Sequence, residues 1–599
     1  MKYCLAVAAL LCGVVHGADM ARPKAGKVEI FPLKDIKPGL QGTAWTVFKG
    51  TEPEAVPVEI VGVMRNYLGP HKDVILGKMG GKAKETNVAA GMSGSPVYID
   101  GKLVGAVALR MSTFSPDAIC GITPIESMLE IEDFDNSRPS DSRTPDKILK
   151  AENGSPNAVT YSPVVTPIET PLVLSGFSDA AVRMFEPLFS QMGVTAVQGG
   201  SSATNLTAKP AADWKTALNP GDAVSGILVS GDMSATGMGT VTYNDGKRVL
   251  AFGHPFYNLG PINMPMAKSE ILMVLSSSYQ PTKFGNATEV VGALRQDRYS
   301  GILGELGAEA PVVPVHVKVR TLGAGDQVLK EKDLNFSVFV HEKWTPFLMS
   351  LTLSNSLQQM NEFAEDITYR MNGHVELDAG RKFDVSTMLG GSESLAAPPM
   401  VLASWWGDKF NRLFLNTVAV PKLTRVECTV DLLPDRRVAT IDSAWTPVTE
   451  VDAGSDVPVK VFLKPFRGER VERDVTVKIP VGMPKGEHRI LLSDAETLNR
   501  LRAGATAANR YLDIPETVSL LNQERVNNRL YVSLVQARAT YFTEDKTLPS
   551  LPASILNVLQ TERTATRTLT GVADSTEEQL SVPFDQQVTG NYSLRITVR

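Results

Sequence analysis

Ser93 is the residue of this chain whose neighbours best equip it for chemistry. It lies in the turn Gly91-Met92-Ser93-Gly94-Ser95-Pro96. Two apolar runs follow, Val97–Ile99 and Leu103–Val107, with Asp100-Gly101 between them. An Asp-Gly pair between apolar runs is a strong hairpin signal, so the serine sits in a turn that feeds a β-hairpin. Clusters of Gly, Ser and Pro are also ordinary turns. This one has glycines placed to let another backbone approach closely, and such a turn can aim N–H groups at one point, as an oxyanion requires. The α/β-hydrolase elbow is excluded on two counts. Its G-x-S-x-G pattern leads into a helix, whereas here Ser95 replaces the last glycine and a strand follows.

A serine hydroxyl needs a base within hydrogen-bond reach and a third group to orient that base. Histidine suits the task because its pKa lies near neutrality. Beyond the first 18 residues the chain has His71, His254, His316, His341, His374 and His488. His254 follows an apolar run and is preceded by Gly253. His71 is nearer to Ser93 in sequence but lies in Gly-Pro-His-Lys, the pattern of an exposed turn. Four cysteines are present, of which Cys120 and Cys428 lie beyond the N-terminal segment, and neither is near a histidine in sequence. Two distant thiols do not make a disulfide scaffold. No Cys/His cluster at zinc spacing, no HExxH, no P-loop and no EF-hand loop occurs, so no metal or cofactor is expected.

At 599 residues the chain is too long for one core. Its apolar content of 43% and charged content of 21% are those of a globular protein. A sequence pI near 5.9 argues against a nucleic-acid partner. Met1–Ala18 reads as a cleaved secretory signal, with Lys2, the apolar Tyr3–Val15 and then Gly17-Ala18. No later run reaches the length of a membrane span. The expected location is therefore secreted or periplasmic, with no transmembrane segment after signal cleavage.

The elements that must position these residues read as strands. Val28–Ile131 is rich in short β-type runs: Thr43–Phe48, Val56–Val63, Asp73–Leu76 and the Ser93 hairpin. Glu132–Asn157 is a polar linker, and Ser178–Gly193 has apolar residues at helical spacing. Strands are expected again at Ala223–Val229, Gly239–Tyr243 and Arg248–Phe252, then in Val312–Phe339 and Val457–Ile479. A helix is expected within Ser350–Met371, and Ser493-Asp-Ala-Glu496 reads as a capping box. Further strands are expected at Tyr531–Thr540 and Leu594–Val598. The resulting division is a signal at 1–18, a Ser-containing half-barrel at 19–131, a linker with a small helical insert at 132–220 and a His-containing half-barrel at 221–320. A β-rich domain with a helix follows at 321–445, and a C-terminal β-sandwich-like domain with helices at 446–599.

The Gly91–Pro96 turn and its hairpin resemble the serine turn of the SpoIVB sporulation peptidases (serine peptidase family fifty-five), distant relatives of the chymotrypsin-like proteases. Gly237-Met-Gly-Thr-Val-Thr-Tyr243 and Ala251-Phe-Gly-His254 resemble the other half of that family. There, a hairpin of this pattern leads into an Ala-x-Gly-His carrying the general base. A further match covers Gly292–Gly304, with Gln296-Asp297-Arg298 and Gly301-Ile-Leu-Gly304. The resemblance spans roughly Ala89–Arg110 and Gly221–Gly307. It implies Ser93 as nucleophile, His254 as base, and the N–H groups of Gly91 and Ser93 as oxyanion donors. Two departures stand out. Ser93 precedes His254, the reverse of the family order, so the expected fold is a circularly permuted chymotrypsin-like double β-barrel. The family also carries an aspartate shortly before the serine turn, where Ile75–Thr86 has none. The candidate acids are Asp297, Asp73 and Glu85, in that order.

The expected fold class is thus mainly β and multidomain, a permuted double barrel followed by β-sandwich-like domains with a few helices. The expected function is a serine endopeptidase acting on a protein or peptide substrate. The alternative is a non-catalytic envelope protein with a degenerate peptidase module, whose C-terminal domains bind an envelope protein or a glycan.

Overall fold

The computed structural model describes residues 21–111, 116–137, 165–191, 195–199, 209–277, 280–358, 366–391, 397–416, 419–506, 513–536, 540–542, 547–549, 551–556, 570–572 and 575–599. The expected signal and residues 138–157 of the expected linker lie outside them. The chain is mainly β, 50% strand against 17% helix, and contains a closed six-stranded barrel and several further sheets. It divides into two compact units. The first runs to Val173 and adds Ser190–Ile227 and Thr236–Ala310; the second comprises Leu174–Phe189, Leu228–Ala235 and Pro311–Arg599.

The barrel in the first unit follows from alternation. Glu54–Met64 buries every second side chain over its first half, as a strand with one face on a core must. Strand neighbours run Pro96–Ile99, Gln41–Thr46, Glu54–Met64, Val74–Met79, Ile119–Pro124 and Lys102–Met111, which pairs back to Pro96–Ile99. Ala44, Val56, Val58, Ile60, Ile75, Met79, Val97, Val107 and Ile122 fill the interior. The expected hairpin is present, and Asp100 and Gly101 take φ of 50° and 77°, the paired positive values of a type I′ turn.

A second ring of six strands carries His254. Ala223–Gly231 pairs with Gly260–Leu275, which pairs with Thr282–Arg298, then Gly301–Leu306, Arg248–Ala251 and Ser234–Asn244, and the last pairs with the first. Two β-bridges join this ring to residues of the barrel side, Gly50 with Ile271 and Ala90 with Thr282.

In the second unit, Val312–Leu322 pairs antiparallel with Val328–Phe339 and parallel with Leu423–Leu433. Thr368–Leu377 and Lys382–Gly390 extend that sheet. The helix expected within Ser350–Met371 is Trp344–Gln358, and Thr368 already begins a strand. This helix buries polar residues such as Thr352, Ser354 and Asn355 together with its leucines, so it has no polar face to set the phase of the pattern. A second helix, Pro398–Phe414, packs on it. Two further sheets enclose a core of Val457, Val459, Val461, Leu463, Ile490, Leu492, Val532 and Ile596. The helix Ala495–Thr506 is capped by Asp494, whose Oδ1 accepts from Thr497 N–H at 2.7 Å. Ser493 is instead the last residue of the strand Gly486–Ser493. Among the described residues no helix is long and apolar enough to cross a membrane.

The tightest packing in the first unit is at Gly94. A Cβ added there would stand 1.8 Å from Thr240 O and 2.5 Å from Phe252 N, at a backbone φ of +96°. Gly94→Ala should therefore lower unfolding stability by more than about 3 kcal/mol, through overlap with backbone plus φ strain. Gly101→Ala also stands at positive φ but meets open space, and should cost about 1 kcal/mol. Denaturant titration of both variants separates the two costs.

Candidate functional site

Ser93 belongs to the barrel side and His254 to the second ring, and hydrogen bonds bring their segments to one residue, Thr240. Thr240 N–H donates to Ser93 O (2.8 Å), and Phe252 N–H donates to Thr240 O (3.3 Å). The Thr240 hydroxyl donates to Gly91 O (3.0 Å) and the Thr242 hydroxyl to Gly94 O (2.8 Å). Across the barrel edge, Gly94 N–H donates to Val107 O (2.8 Å), and the Thr123 hydroxyl donates to Gly253 O (2.7 Å). Two residues before His254 the chain is strained, since Phe252 takes φ of 69°. A bulky residue at positive φ is a genuine outlier that surrounding structure must enforce. Here the Phe252 ring covers Gly239 and meets the Phe256 ring edge-on at 5.3 Å.

Several buried polar atoms of the site are unpaired. The Ser93 hydroxyl and His254 Nε2 have no hydrogen-bond partner, and they do not bond each other in this conformation. Ser93 is 0% exposed and His254 4%. The N–H groups of Ala90, Met92, Gly94 and Ser95 all donate to carbonyls, whereas those of Gly91 and Ser93 donate to nothing among the described residues. The carbonyls of the same two peptides are held. Ala90 O accepts from Lys283 N–H (2.9 Å), and Met92 O accepts from Ser95 N–H (3.0 Å) and the Ser95 hydroxyl (2.6 Å). Gly91 N–H and Ser93 N–H, the expected oxyanion donors, are thus fixed in direction and unoccupied.

His254 is oriented by a backbone carbonyl. Its Nδ1 lies 2.8 Å from Pro255 O. With Nδ1–H donating to that carbonyl, Nε2 carries the lone pair. Burial without an acid partner pushes the His254 pKa down to about 4, so the ring is neutral at pH 7. His254 also lines a cavity of about 120 Å³ with Leu68, Leu109, Pro167 and Tyr299.

The expected hydrogen bond from His254 to Asp297 is not made. Asp297 is fully buried, and its carboxylate accepts from Phe256 N–H (2.7 Å), Tyr257 N–H (2.8 Å) and Leu259 N–H (3.0 Å). Its place in the strand Thr282–Arg298, opposite Gly260, aims it at the loop after His254 rather than at the imidazole. It positions that loop. Neither other candidate acid takes its place. Asp73 lines the same cavity as His254 but is held by Arg65 (2.7 Å) and Asn66 N–H (2.7 Å). Glu85 is exposed in the short helix Ala83–Thr86. His71 is exposed in a turn, and His316, His341, His374 and His488 belong to the second unit. Cys120 and Cys428 are both buried and free.

The sequence reading missed Thr240 and Lys283. Thr240 lies in the Gly237–Tyr243 motif, which gives it no role of its own, and a lysine after a Pro-Thr pair carries no motif; the place of both at the turn depends on pairing between distant segments. Comparison of the chain with protein-family models, with curated proteins and with solved structures finds no match.

Asp297→Asn should destabilise the fold by about 1–3 kcal/mol, because an amide nitrogen would then face backbone N–H donors. Rescue by raising pH is not expected, and thermal melts of the variant check both points. The His254 ring makes a second prediction. Between pH about 6.5 and about 4 the unfolded chain binds a proton that the folded chain refuses, so stability falls as pH falls through that window. The lost stability is roughly 3 kcal/mol at about 1.4 kcal/mol per pKa unit. Acid unfolding of His254→Gln should lack this contribution, and paired melts from pH 7 to 4 measure the difference.

Proposed function

We propose that the chain is an exported serine endopeptidase of the SpoIVB peptidase type. It cleaves peptide bonds through an acyl-enzyme on Ser93, with His254 as general base. One observation supports this reading above the rest. The Ser93 hydroxyl, His254 Nε2 and the N–H groups of Gly91 and Ser93 are all unpaired in segments that meet at Thr240. Each unpaired buried polar group costs about 1–3 kcal/mol, and native proteins keep few of them without a cause. Acyl transfer uses all four together.

In this scheme Ser93 Oγ attacks the substrate carbonyl carbon as its proton passes to His254 Nε2. The oxygen of the tetrahedral intermediate accepts from Gly91 N–H and Ser93 N–H. His254 then returns the proton to the departing amine, and a water deacylates Ser93 with His254 again taking the proton. Pro255 O does the orienting that a carboxylate does in a full triad, and Asp297 holds the loop on which His254 stands. Ser93 is covered in this conformation, so substrate entry requires the covering segments to part.

That same covering favours a second reading, a non-catalytic envelope protein that keeps the peptidase module as a scaffold. The second unit offers such a protein a groove of about 780 Å³, lined in part by Asn372, His374, Trp405, Asn499, Glu524 and Arg525. A glycan or an envelope protein is the occupant this reading expects.

A fluorophosphonate probe separates the two. The peptidase should be labelled covalently, Ser93→Ala should abolish labelling, and His254→Ala should slow it by at least about 10³-fold. The double variant should be no worse than Ser93→Ala, because the two residues act as a unit. Folded protein that is never labelled would favour the binding module.

A further inference from the structure

Lys283 is a buried lysine with no acid beside it. It is 1% exposed and stands second in the strand Thr282–Arg298. Burying an ammonium without a counter-charge is expensive, and side chains of this kind are almost never fully buried unless paired. Several of its contacts lead to the Ser93 turn. Its N–H donates to Ala90 O (2.9 Å), the carbonyl of the peptide that carries Gly91 N–H. Its Cβ, Cγ and Cδ pass 3.1–3.5 Å from the point where a Cβ on Gly91 would stand. Its Nζ donates to Thr46 Oγ1 (2.7 Å) and reaches Thr240 Oγ1 (3.5 Å), and that threonine hydroxyl in turn donates to Gly91 O. Gly91 is therefore held at the carbonyl before it and at its own carbonyl, through Lys283 and its partner Thr240, and the lysine stem fills the space where a side chain on Gly91 would stand.

We propose that Lys283 is a positioning residue of the Ser93 site, holding Gly91 N–H in its donating direction and placing an ammonium behind the turn that receives the oxyanion. The proposal rests on the peptidase reading of Ser93 and names a residue that the reading does not otherwise use. A preorganised positive charge in a water-excluded site stabilises developing negative charge far more than it would in water. The ammonium is also the one group here whose charge can change near neutrality. Burial pushes its pKa down to about 7. The groups that face it are Thr46 from Gln41–Thr46, Thr240 from Ser234–Asn244, Val274 from Gly260–Leu275, and Ala90 and Gly91 from the turn. None of these titrates, and no ionised neighbour contributes to the shift.

The test is the pH profile of fluorophosphonate labelling of the full chain from pH 5 to 9. The imidazole loses its proton below that range, so the profile in it reports Lys283. Wild-type labelling should fall about 10²-fold as pH rises through about 7 and the ammonium is lost. Lys283→Met keeps the stem and removes the charge; it should already label about 10²-fold more slowly at pH 6 and show no fall at 7. Wild-type labelling that is level from pH 6 to 9, or Lys283→Met labelling as fast as wild type at pH 6, overturns the proposal and leaves the peptidase reading standing. The wild-type profile alone decides the matter should Lys283→Met not fold. Folded wild type that is never labelled overturns the peptidase reading, and this proposal with it.

Discussion

The backbone hydrogen bond from Thr240 to Ser93, at 2.8 Å, is the contact on which the rest of the site depends. It ties a turn of one strand ring to a strand of the other. The neighbouring contacts follow from it: the Thr240 hydroxyl on Gly91 O, the Thr242 hydroxyl on Gly94 O, and Phe252 N–H on Thr240 O. None of them forms unless the two backbones come almost into van der Waals contact, and the absence of a side chain at Gly94 is what permits that. A close approach of this kind leaves no room for water. Every polar group in it is then either paired within the protein or left unpaired at a cost. Among the groups left unpaired are the ones that acyl transfer would employ.

Electrostatics in so dry a place run differently from those of a site built around an aspartate. No carboxylate stands on His254, and its ring is neutral because burial disfavours the cation. The nearby Asp297 spends its charge on three N–H groups of the loop after His254. A carboxylate accepting several backbone N–H bonds is stabilised where it is, and it loses nothing by not serving the imidazole. The buried lysine of the site is Lys283, whose Nζ donates to Thr46 Oγ1 and whose pKa burial pushes down to about 7. The imidazole is left without a counter-ion.

Much of this fold was legible in the sequence because it rests on local chemistry. The Asp100-Gly101 turn, the alternation in Glu54–Met64 and Asp456–Pro465, and the run Arg248–Ala251 are period-2 or turn signals that survive without context. The helix Pro398–Phe414 is legible as well, since Pro398 stands in its first turn and Leu402, Trp406, Phe410 and Leu413 recur at helical spacing. The phase of Trp344–Gln358 was not legible, because a helix buried on all sides carries no amphipathic contrast. Within the site, the serine turn and the hairpin it feeds are legible from Gly91–Pro96 and Asp100-Gly101. The orienting partner of His254 is not. A backbone carbonyl has no residue type, so a search for a third catalytic side chain cannot find it. Lys283 was hidden for a related reason. A single lysine reads as solvated surface, and only the pairing of Lys283 N–H with Ala90 O brings it inside.

An orienting carbonyl is not equivalent to a carboxylate, and the difference bears on what chemistry the site can sustain. Both hold Nδ1–H and thereby leave Nε2 free to accept a proton. Only the carboxylate carries a full charge, which would stabilise an imidazolium formed if His254 took a proton from Ser93. In a serine-protease triad, losing that charge along with the correct tautomer costs about 10⁴-fold in rate. In this chain the tautomer is kept through Pro255 O and only the charge is missing, so in the proposed reaction the penalty would fall on the electrostatic part alone. Thr240, Ser93 and Phe252 are joined by hydrogen bonds across strands, and those bonds depend on where the backbones meet, not on which segment was synthesised first. The absence of an acid on His254 is what sets this site apart from a complete triad.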